Sequence, residues 1–292
     1  MIYLIASILI FTLIFIVFKL YERFKVNILQ AIVVNYIVAF ITSMVAYKIQ
    51  VGFSDLSISK IMEMGWIYTT IGLGILFIVV FILIAKTTQV NGLSVASVAT
   101  KMSFIIPIIF GILYYKESLG VFKLTGILFA LIAVYLVSVK SKNGLKLNKK
   151  DLYLPLLVLL GSGIIDTSIK FLEEEHVAEN DISIFSATIF LSAAILGILI
   201  LVFNSFKGKI KIELKNIIGG IALGIPNYFS IFFLVKALRS DILESSGIFA
   251  INNVSIVTLS TLAGIILFNE KLLPKNWLGI ALAIFSIILI SL

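Results

Sequence analysis

The 292-residue sequence contains no cysteine and only one histidine, His176. Without cysteine the chain can form neither a disulfide nor a thiolate metal site, and it lacks a thiol nucleophile. A single histidine also excludes a histidine-rich metal site. We therefore expect neither a metal nor a cofactor.

Charged residues are scarce as well. They make up 13% of the chain, whereas 61% is hydrophobic and the mean hydropathy is +1.17. A soluble domain has about 25% charged and about 45–50% apolar residues. A chain this apolar cannot cover its surface with polar groups, so the solvent it requires is lipid. The net charge of +8 comes mainly from lysines in short connectors, which is typical of membrane orientation and argues against nucleic-acid binding.

Ten apolar stretches approach or exceed the length of about 20 residues that a helix needs to cross a bilayer. Each must be helical, because lipid cannot satisfy the edge of an open strand, and none alternates as a barrel strand does. The first lacks a preceding basic region and a following cleavage site, so we interpret it as a retained helix. The predicted spans are 2–18, 28–47, 66–85, 93–115, 121–139, 152–170, 182–204, 217–235, 245–268 and 276–292.

The two halves of the sequence resemble each other. At offsets of 150 to 153 residues, Ile71–Ile75 recurs as Ile221–Ile225, and Gly126 recurs as Gly279. We interpret this as a duplicated five-helix unit, with a first copy at 1–139, a lysine-rich linker at 140–151 and a second copy at 152–292. Because five is odd, the second copy must run upside down relative to the first. Inverted repeats of this kind are typical of secondary transporters.

One motif connects the chain with a known family. Pro107 is followed by Gly111–Glu117, and this pattern recurs as Gly264–Glu270, with Ser260 where the first copy has Pro107. Together with the ten predicted helices, the motif resembles the drug/metabolite transporter superfamily, in particular its EamA-type members. The resemblance covers essentially the whole chain. It implies an all-α integral membrane fold in the cell membrane of a bacterium, and a central cavity lined by the first, third and fourth helices of each half.

Two charged residues within apolar spans are the leading candidates for substrate binding. At membrane depth each needs a partner or a water-filled cavity, and a lysine at a helix centre costs about 2.5–3.5 kcal/mol on insertion scales. Lys101, in the fourth helix, is a candidate anchor for a carboxylate or phosphate; alternatively it pairs with Asp166 or extends to the membrane surface. Asp166, in the sixth helix, is a candidate proton or cation coupling group, or else a fixed counter-ion or a residue near the membrane surface.

Uncharged polar residues complete the candidate site, with bonding between or within helices as the alternative role. They are Thr100, Ser103, Asn227, Tyr228, Asn252 and Asn253. We expect at least one of the two middle asparagines of the ninth helix to face the cavity, and Asn35 to bond between helices. Candidate hinge or close-packing residues are Gly72, Gly74, Pro107, Gly161, Gly163, Gly224 and Pro226, and we predict that Pro226 interrupts the eighth helix.

Charges near the helix ends bear on orientation. Connectors after odd-numbered helices hold 15 Lys and Arg residues, and those after even-numbered helices hold 7 when Lys123 and Lys170, at the adjoining ends of two spans, are counted with them. The positive-inside rule then places the former in the cytoplasm and both termini outside. The resembled family has both termini in the cytoplasm, so the two expectations conflict. We interpret Lys86, Lys236, Glu117 and Glu270 as anchors at the membrane surface.

These features favour a secondary or facilitative carrier, most simply an exporter, that moves a small polar metabolite such as an amino acid or organic anion by alternating access. Export of drugs or cations is the alternative within the same superfamily. Its small multidrug exporters use a glutamate in the first helix, whereas this chain has no acid there before Lys19. An enzyme is disfavoured, because His176 lies in a predicted connector and no aspartate-rich motif occurs. The expected partners are the substrate, the lipid bilayer and a coupling proton or cation.

Overall fold

The structure, a computed structural model, describes residues 1–50, 52, 61–62, 64–114, 120–138, 149–176, 181–207, 212–238 and 245–291. Glu117 and residues 140–148 of the predicted linker lie outside them. Over the described residues every regular element is helical, in ten rods of which the fourth has two segments. They are α1 Ile2–Arg23, α2 Ile28–Gln50, α3 Ile67–Asn91, α4a Leu93–Lys101 and α4b Ile105–Tyr114, α5 Val121–Ser138, α6 Lys149–His176, α7 Ile182–Lys207, α8 Leu214–Leu238, α9 Ser245–Phe268 and α10 Pro274–Ser291.

Eight of the described rods are long and apolar enough to cross a membrane, and α5 and α10 are shorter apolar helices. The outward faces carry large apolar side chains: on α3, Ile71, Ile75 and Val79 are exposed, whereas Phe77 and Val80 are buried. Helices that are apolar on all sides require lipid around them. The chain is therefore a multi-pass membrane protein, and the apolar runs located its helices to within a few residues.

The sixth helix is longer than predicted. We expected it to end at residue 170 and to be followed by a connector that contains His176, but α6 continues through Glu173–Glu175 to His176. Glutamate and lysine are good helix formers, so a helix nucleated in the membrane continues at low cost into water. His176 consequently ends a helix and does not lie in a connector.

The prolines act differently from the prediction for α8. Pro226 lies inside α8, which continues without interruption from Leu214 to Leu238. The break occurs instead in the fourth helix, where the 3-10 turn Met102–Phe104 separates α4a from α4b. Pro107 lies just beyond this turn, and a proline can neither donate to the carbonyl four residues earlier nor pack its ring against it. That carbonyl belongs to Ser103, inside the turn.

The rods pack mainly across the two halves of the chain. α5 packs along α10, α2 packs against both α7 and α8, and α1 packs against α8 and α9. α3 packs against α6 and α7, while α4a packs against α9 and α6. If successive rods cross the bilayer in alternating directions, the described turns after α1, α3 and α9 belong to one side of the bundle, here called the odd side, and the opposite side is here called the even side.

Aromatic rings fill the interior between α1, α2, α3 and α7. Phe81 is their centre: its ring centroid lies 5.8 Å from that of Phe18, 5.6 Å from Tyr36 and 6.1 Å from Phe77. Phe190 of α7 closes the group, 6.1 Å from Phe77. Rings at such separations add about 0.5–1.5 kcal/mol per pair beyond burial of their area. This cluster packs part of the protein interior with aromatic side chains and forms one wall of the cleft described below.

Candidate functional site

Lys101 ends α4a at the point where the helix tightens into the 3-10 turn. Its Nζ lies 3.9 Å from the centroid of the Phe11 ring on α1. A cation over an aromatic face gains about 2 kcal/mol or more when it is desolvated. The ammonium group is therefore held inside the bundle, and it does not extend to the membrane surface.

Asp166 lies on α6, opposite the same turn. It accepts a 2.8 Å hydrogen bond from the Ser103 hydroxyl. Lys101 and Asp166 are close enough to attract each other electrostatically. In the described part of the chain, however, the contacts of Lys101 and Asp166 are with Phe11 and Ser103, so the two charges attract across a gap without a direct ion pair. The direct pairing that we gave as the alternative role of Lys101 is therefore not present between these two described side chains.

Asp166 keeps accessible surface on a face of α6 that is otherwise buried. The residues seven and four positions earlier, Leu159 and Ser162, lie on the same face of α6 and are only 3% and 6% exposed. Asp166 is nevertheless exposed. The carboxylate is therefore more accessible than the two turns of α6 that precede it.

The two hydroxyls beside Lys101 have different roles. Thr100 donates a 2.8 Å bond to the carbonyl of Ala96, one turn earlier in its own helix. Ser103 contacts both the Thr100 carbonyl, at 2.6 Å, and Asp166. Ser103 therefore connects the break in the fourth helix to α6, whereas the Thr100 hydroxyl is occupied locally.

Asn252 of α9 lies beside the Lys101 site. The hydroxyl of Ser7 on α1 donates to Asn252 Oδ1 at 3.2 Å, and Ser7 precedes Phe11 by four residues, so both lie on one face of α1. Lys101 and Asn252 thus contact neighbouring turns of that face. Asn252 Nδ2 is buried without a hydrogen-bond partner, so it has a donor available. Its neighbour Asn253 is buried at 8% exposure.

The polar residues after Pro226 lie elsewhere. Asn227 donates to Asn35 Oδ1 on α2 at 3.2 Å, and the Tyr228 hydroxyl lies 3.2 Å from that of Ser183 on α7. Both side chains are almost fully buried. They bond α8 to its neighbours, as expected of Asn35, and the structure does not bring them together with Lys101.

The candidate glycines differ in their surroundings. A Cβ on Gly74 would lie 2.6 Å from Ser192 of α7, and one on Gly224 would lie 2.7 Å from the Asn35 carbonyl of α2. Gly161 and Gly163 face Val80 and Ile106 in the same close manner, while a Cβ on Gly72 would meet open space. Sequence reasoning missed Gly220, which packs on α2 one turn before Gly224.

A small apolar cleft lies between α3, α6, α7 and α8. It is lined by Phe77, Ile169, Ile182, Phe185, Ser186, Ile189, Phe190, Ile231 and Val235. Ile169 follows Asp166 by three residues, so the cleft and the carboxylate occupy adjacent turns of α6. The family resemblance implied a cavity lined by the first, third and fourth helices of each half, whereas this apolar cleft also has α7 in its wall. In a sequence this apolar no signal distinguishes cleft residues from lipid-facing ones. Among the described residues no cluster of three or more His, Asp or Glu could hold a metal ion.

Comparisons with known proteins agree on the fold and leave the activity open. No protein-family profile matches the chain. An uncharacterised protein of Haemophilus influenzae is 29% identical over 273 residues, which cover 92% of this chain and 90% of that protein. A crystal structure of another protein superposes with a TM-score of 0.61 at 14% identity, covering 99% of this chain and 94% of the other. The whole chain therefore has a fold that occurs in another protein.

Proposed function

We propose that the protein is a secondary or facilitative transporter, of the EamA type within the drug/metabolite transporter superfamily. It moves a small polar metabolite, such as an amino acid or organic anion, out of a bacterial cell by alternating access. One observation carries the proposal: Lys101 and Asp166 place opposite charges inside a bundle of apolar helices, and Asp166 keeps accessible surface there.

Both charges retain capacity for a ligand. Lys101 has three N–H donors, and its described contact is a ring face. Asp166 has about four lone-pair positions and accepts one bond from Ser103. Keeping such charges at membrane depth is costly, and a charged or polar solute would supply the missing charge-assisted bonds. This favours a polar metabolite over an uncharged apolar one.

The helix contacts support an inverted repeat. If helix n of the first half is equivalent to helix n+5 of the second, each contact should have an equivalent partner. The contact of α1 with α8 corresponds to that of α6 with α3, and α2 with α8 corresponds to α7 with α3. Likewise the contact of α1 with α9 corresponds to that of α6 with the fourth helix. Three further contacts join a helix to its own equivalent in the other half, namely α2–α7, α4a–α9 and α5–α10.

The glycines follow the same equivalence. Gly74 and Gly224 are 150 residues apart, and each packs where its helix crosses a helix of the other half, α7 and α2 respectively. Because α7 and α2 are themselves equivalent under the exchange, the two crossings are copies of one contact. This supports the duplication and with it the assignment to the superfamily.

The contacts of α2 with α3 and of α1 with α4a have no equally close equivalent over the described residues, and a third contact of this kind supports alternating access. α1 packs against α3, but over the described residues the equivalent helices α6 and α8 do not pack closely. The apolar cleft lies at that position, with Ile169 from α6 and Ile231 from α8 in its walls. A carrier built from inverted repeats is expected to adopt two states in which the halves exchange these arrangements. We infer that this state is open on the even side.

Reconstitution into liposomes tests the proposal. Labelled amino acids, organic anions and lipophilic cations are offered with and without a proton gradient. We expect uptake of one polar class, abolished by Lys101→Ala and retained in Lys86→Ala, which removes an exposed lysine from the last third of α3. Transport of the lipophilic cations alone would favour the multidrug alternative. Unchanged transport by a correctly inserted Lys101→Ala variant would remove Lys101 from the site.

A further inference from the structure

The odd side of the bundle is closed by hydrogen bonds between helices of different halves. The Tyr21 hydroxyl donates to the Gly219 carbonyl at 2.8 Å, and the backbone N–H of Asn27 donates to Asn216 Oδ1 at 2.8 Å. Asn216 Nδ2 in turn donates to Gln30 at 2.7 Å. These bonds connect the turn between α1 and α2 to the start of α8.

A second closure, formed by Glu270, covers the fourth helix. Glu270 Oε1 accepts a 2.6 Å bond from the Leu93 amide, while Oε2 accepts from the Ser94 hydroxyl at 3.1 Å and the Ser94 amide at 3.4 Å. These are the first amides of α4a, which have no partner within the helix. The positive end of the helix dipole also favours a carboxylate there. Glu270 therefore attaches the turn between α9 and α10 to the start of α4a, and is not simply an anchor at the membrane surface.

Two glycines shape this carboxylate site. A Cβ on Gly264 would lie 2.6 Å from Glu270 Oε2, and one on Gly92, whose φ is +105°, would lie 2.9 Å from Oε1. The Glu270 amide donates to the Gly264 carbonyl at 3.0 Å, which folds the turn back on α9. Side chains at these positions would displace the carboxylate.

The Glu270 site lies above the residue that we place in the transport site. Ser94, Ser97 and Lys101 are spaced three and four residues apart and share one face of α4a. Ser94, bonded to Glu270, is 1% exposed, and Ser97 is fully buried. A route along this face from the odd side to Lys101 passes directly under the Glu270 carboxylate.

We propose that Glu270 is a latch that keeps the odd side closed in this state and releases the start of α4a when that side opens. The proposal rests on the transport function proposed above, since only a carrier needs the odd side to open. Glu270 acts by positioning α4a, and it does not touch the substrate.

The absence of cysteine makes the test direct, because single reporter cysteines can be introduced without removing others. Ser97→Cys reports on the odd side, and Ser186→Cys reports on the cleft of the even side. Replacing a charged acceptor by a neutral one in Glu270→Gln weakens the bonds by about 1 kcal/mol, which corresponds to about a five-fold population shift. We expect an impermeant thiol reagent to modify Ser97→Cys about five-fold faster in Glu270→Gln, and Ser186→Cys more slowly.

Glu22→Gln is the matched control, because Glu22 is an exposed odd-side carboxylate bonded to Lys19 at 2.9 Å. We expect it to leave both labelling rates unchanged. Gly264→Ala is a second test variant, because its methyl group would move the Glu270 carboxylate without removing its charge. We expect it to change both labelling rates as Glu270→Gln does, and it can be used if Glu270→Gln folds poorly.

Unchanged labelling of Ser97→Cys in both folded variants would overturn the latch. So would equally faster labelling of both reporters, since that means general loosening of the bundle. Labelling needs no substrate, so the latch and the transport function fail separately. If wild-type protein moves no solute while Glu270→Gln shifts labelling as expected, the transport function is wrong and the conformational role of Glu270 stands.

Discussion

The fourth and ninth helices are equivalent under the proposed repeat, yet they are built differently. The fourth is broken by a 3-10 turn before Pro107 and carries Lys101, whereas α9 runs unbroken from Ser245 to Phe268 with Asn252 and Asn253 at the corresponding level. Both pack against α1, one at Phe11 and the other at Ser7. The charge and the break thus occur on one copy only.

The helix crossings show the opposite behaviour. Gly74 and Gly224 serve the same purpose in the two halves, each allowing a neighbouring helix to approach to backbone distance. Close packing depends on the absence of a side chain, and any substitution in either copy would separate the helices. Comparing the two regions indicates that the scaffold requires both copies alike, while the polar lining is free to differ.

The largest expected effect comes from making the fourth helix resemble the ninth. Lys101→Asn removes the cation but keeps a polar side chain. Because bonds to charged groups contribute about 1.5–3 kcal/mol, we expect transport of an anionic substrate to fall about 10- to 100-fold. Liposome uptake measures this, with Asn253→Ala as the corresponding change in α9. Equal losses in both variants would show that the charge itself is unimportant.

The equivalence of the crossings predicts a loss of stability. Gly224→Ala and Gly74→Ala each place a methyl group against a neighbouring helix at 2.6–2.7 Å. We expect each to destabilise the protein by about 1–3 kcal/mol, measured as a lower Tm in detergent. Gly72→Ala is the control, because its methyl group would meet no neighbouring atom, and we expect it to leave the Tm unchanged. Destabilisation by only one of the two crossing variants would contradict their equivalence.

The smallest effect separates the two hydroxyls next to Lys101. Ser103→Ala removes the described donor to Asp166, and because the carboxylate is exposed and can bind water instead, we expect a cost of about 0.5–1.5 kcal/mol with reduced transport. Thr100→Val removes a hydroxyl that bonds its own helix, so we expect a change within about 0.5 kcal/mol. Tm and uptake of both variants distinguish these expectations. A larger effect of Thr100→Val would mean that its hydroxyl turns toward the substrate.

The helices were predictable because their signal is local. Each span consists of about 20 apolar residues, and no other arrangement of such a run satisfies its backbone in lipid. The extension of α6 into its acidic end was missed, because a count of apolar residues stops at the first charges. The backbone hydrogen bonds of the helix continue past that point. Pro226 and Pro107 have the same local signal, yet only the fourth helix is broken.

The side-chain contacts were less predictable. Lys101 and Asp166 were identified because charges are conspicuous in an apolar chain, but Phe11 is one of 23 phenylalanines with nothing to distinguish it. Glu270 resembled an ordinary helix-end charge, and its role depends on the start of a helix 177 residues earlier in the chain. Asn252 and Asn227 looked alike, and only their neighbours separate a residue beside Lys101 from one that bonds two helices.

The sequence by itself therefore determined that this chain is an all-helical, multi-pass membrane protein, because burial of apolar length is a property of each segment alone. The tertiary structure decided which helices of the two halves cross, which side chains the charges of Lys101 and Asp166 contact and which carboxylate holds the start of a helix. These depend on distances between residues far apart in the chain, and such distances are set by packing of whole helices.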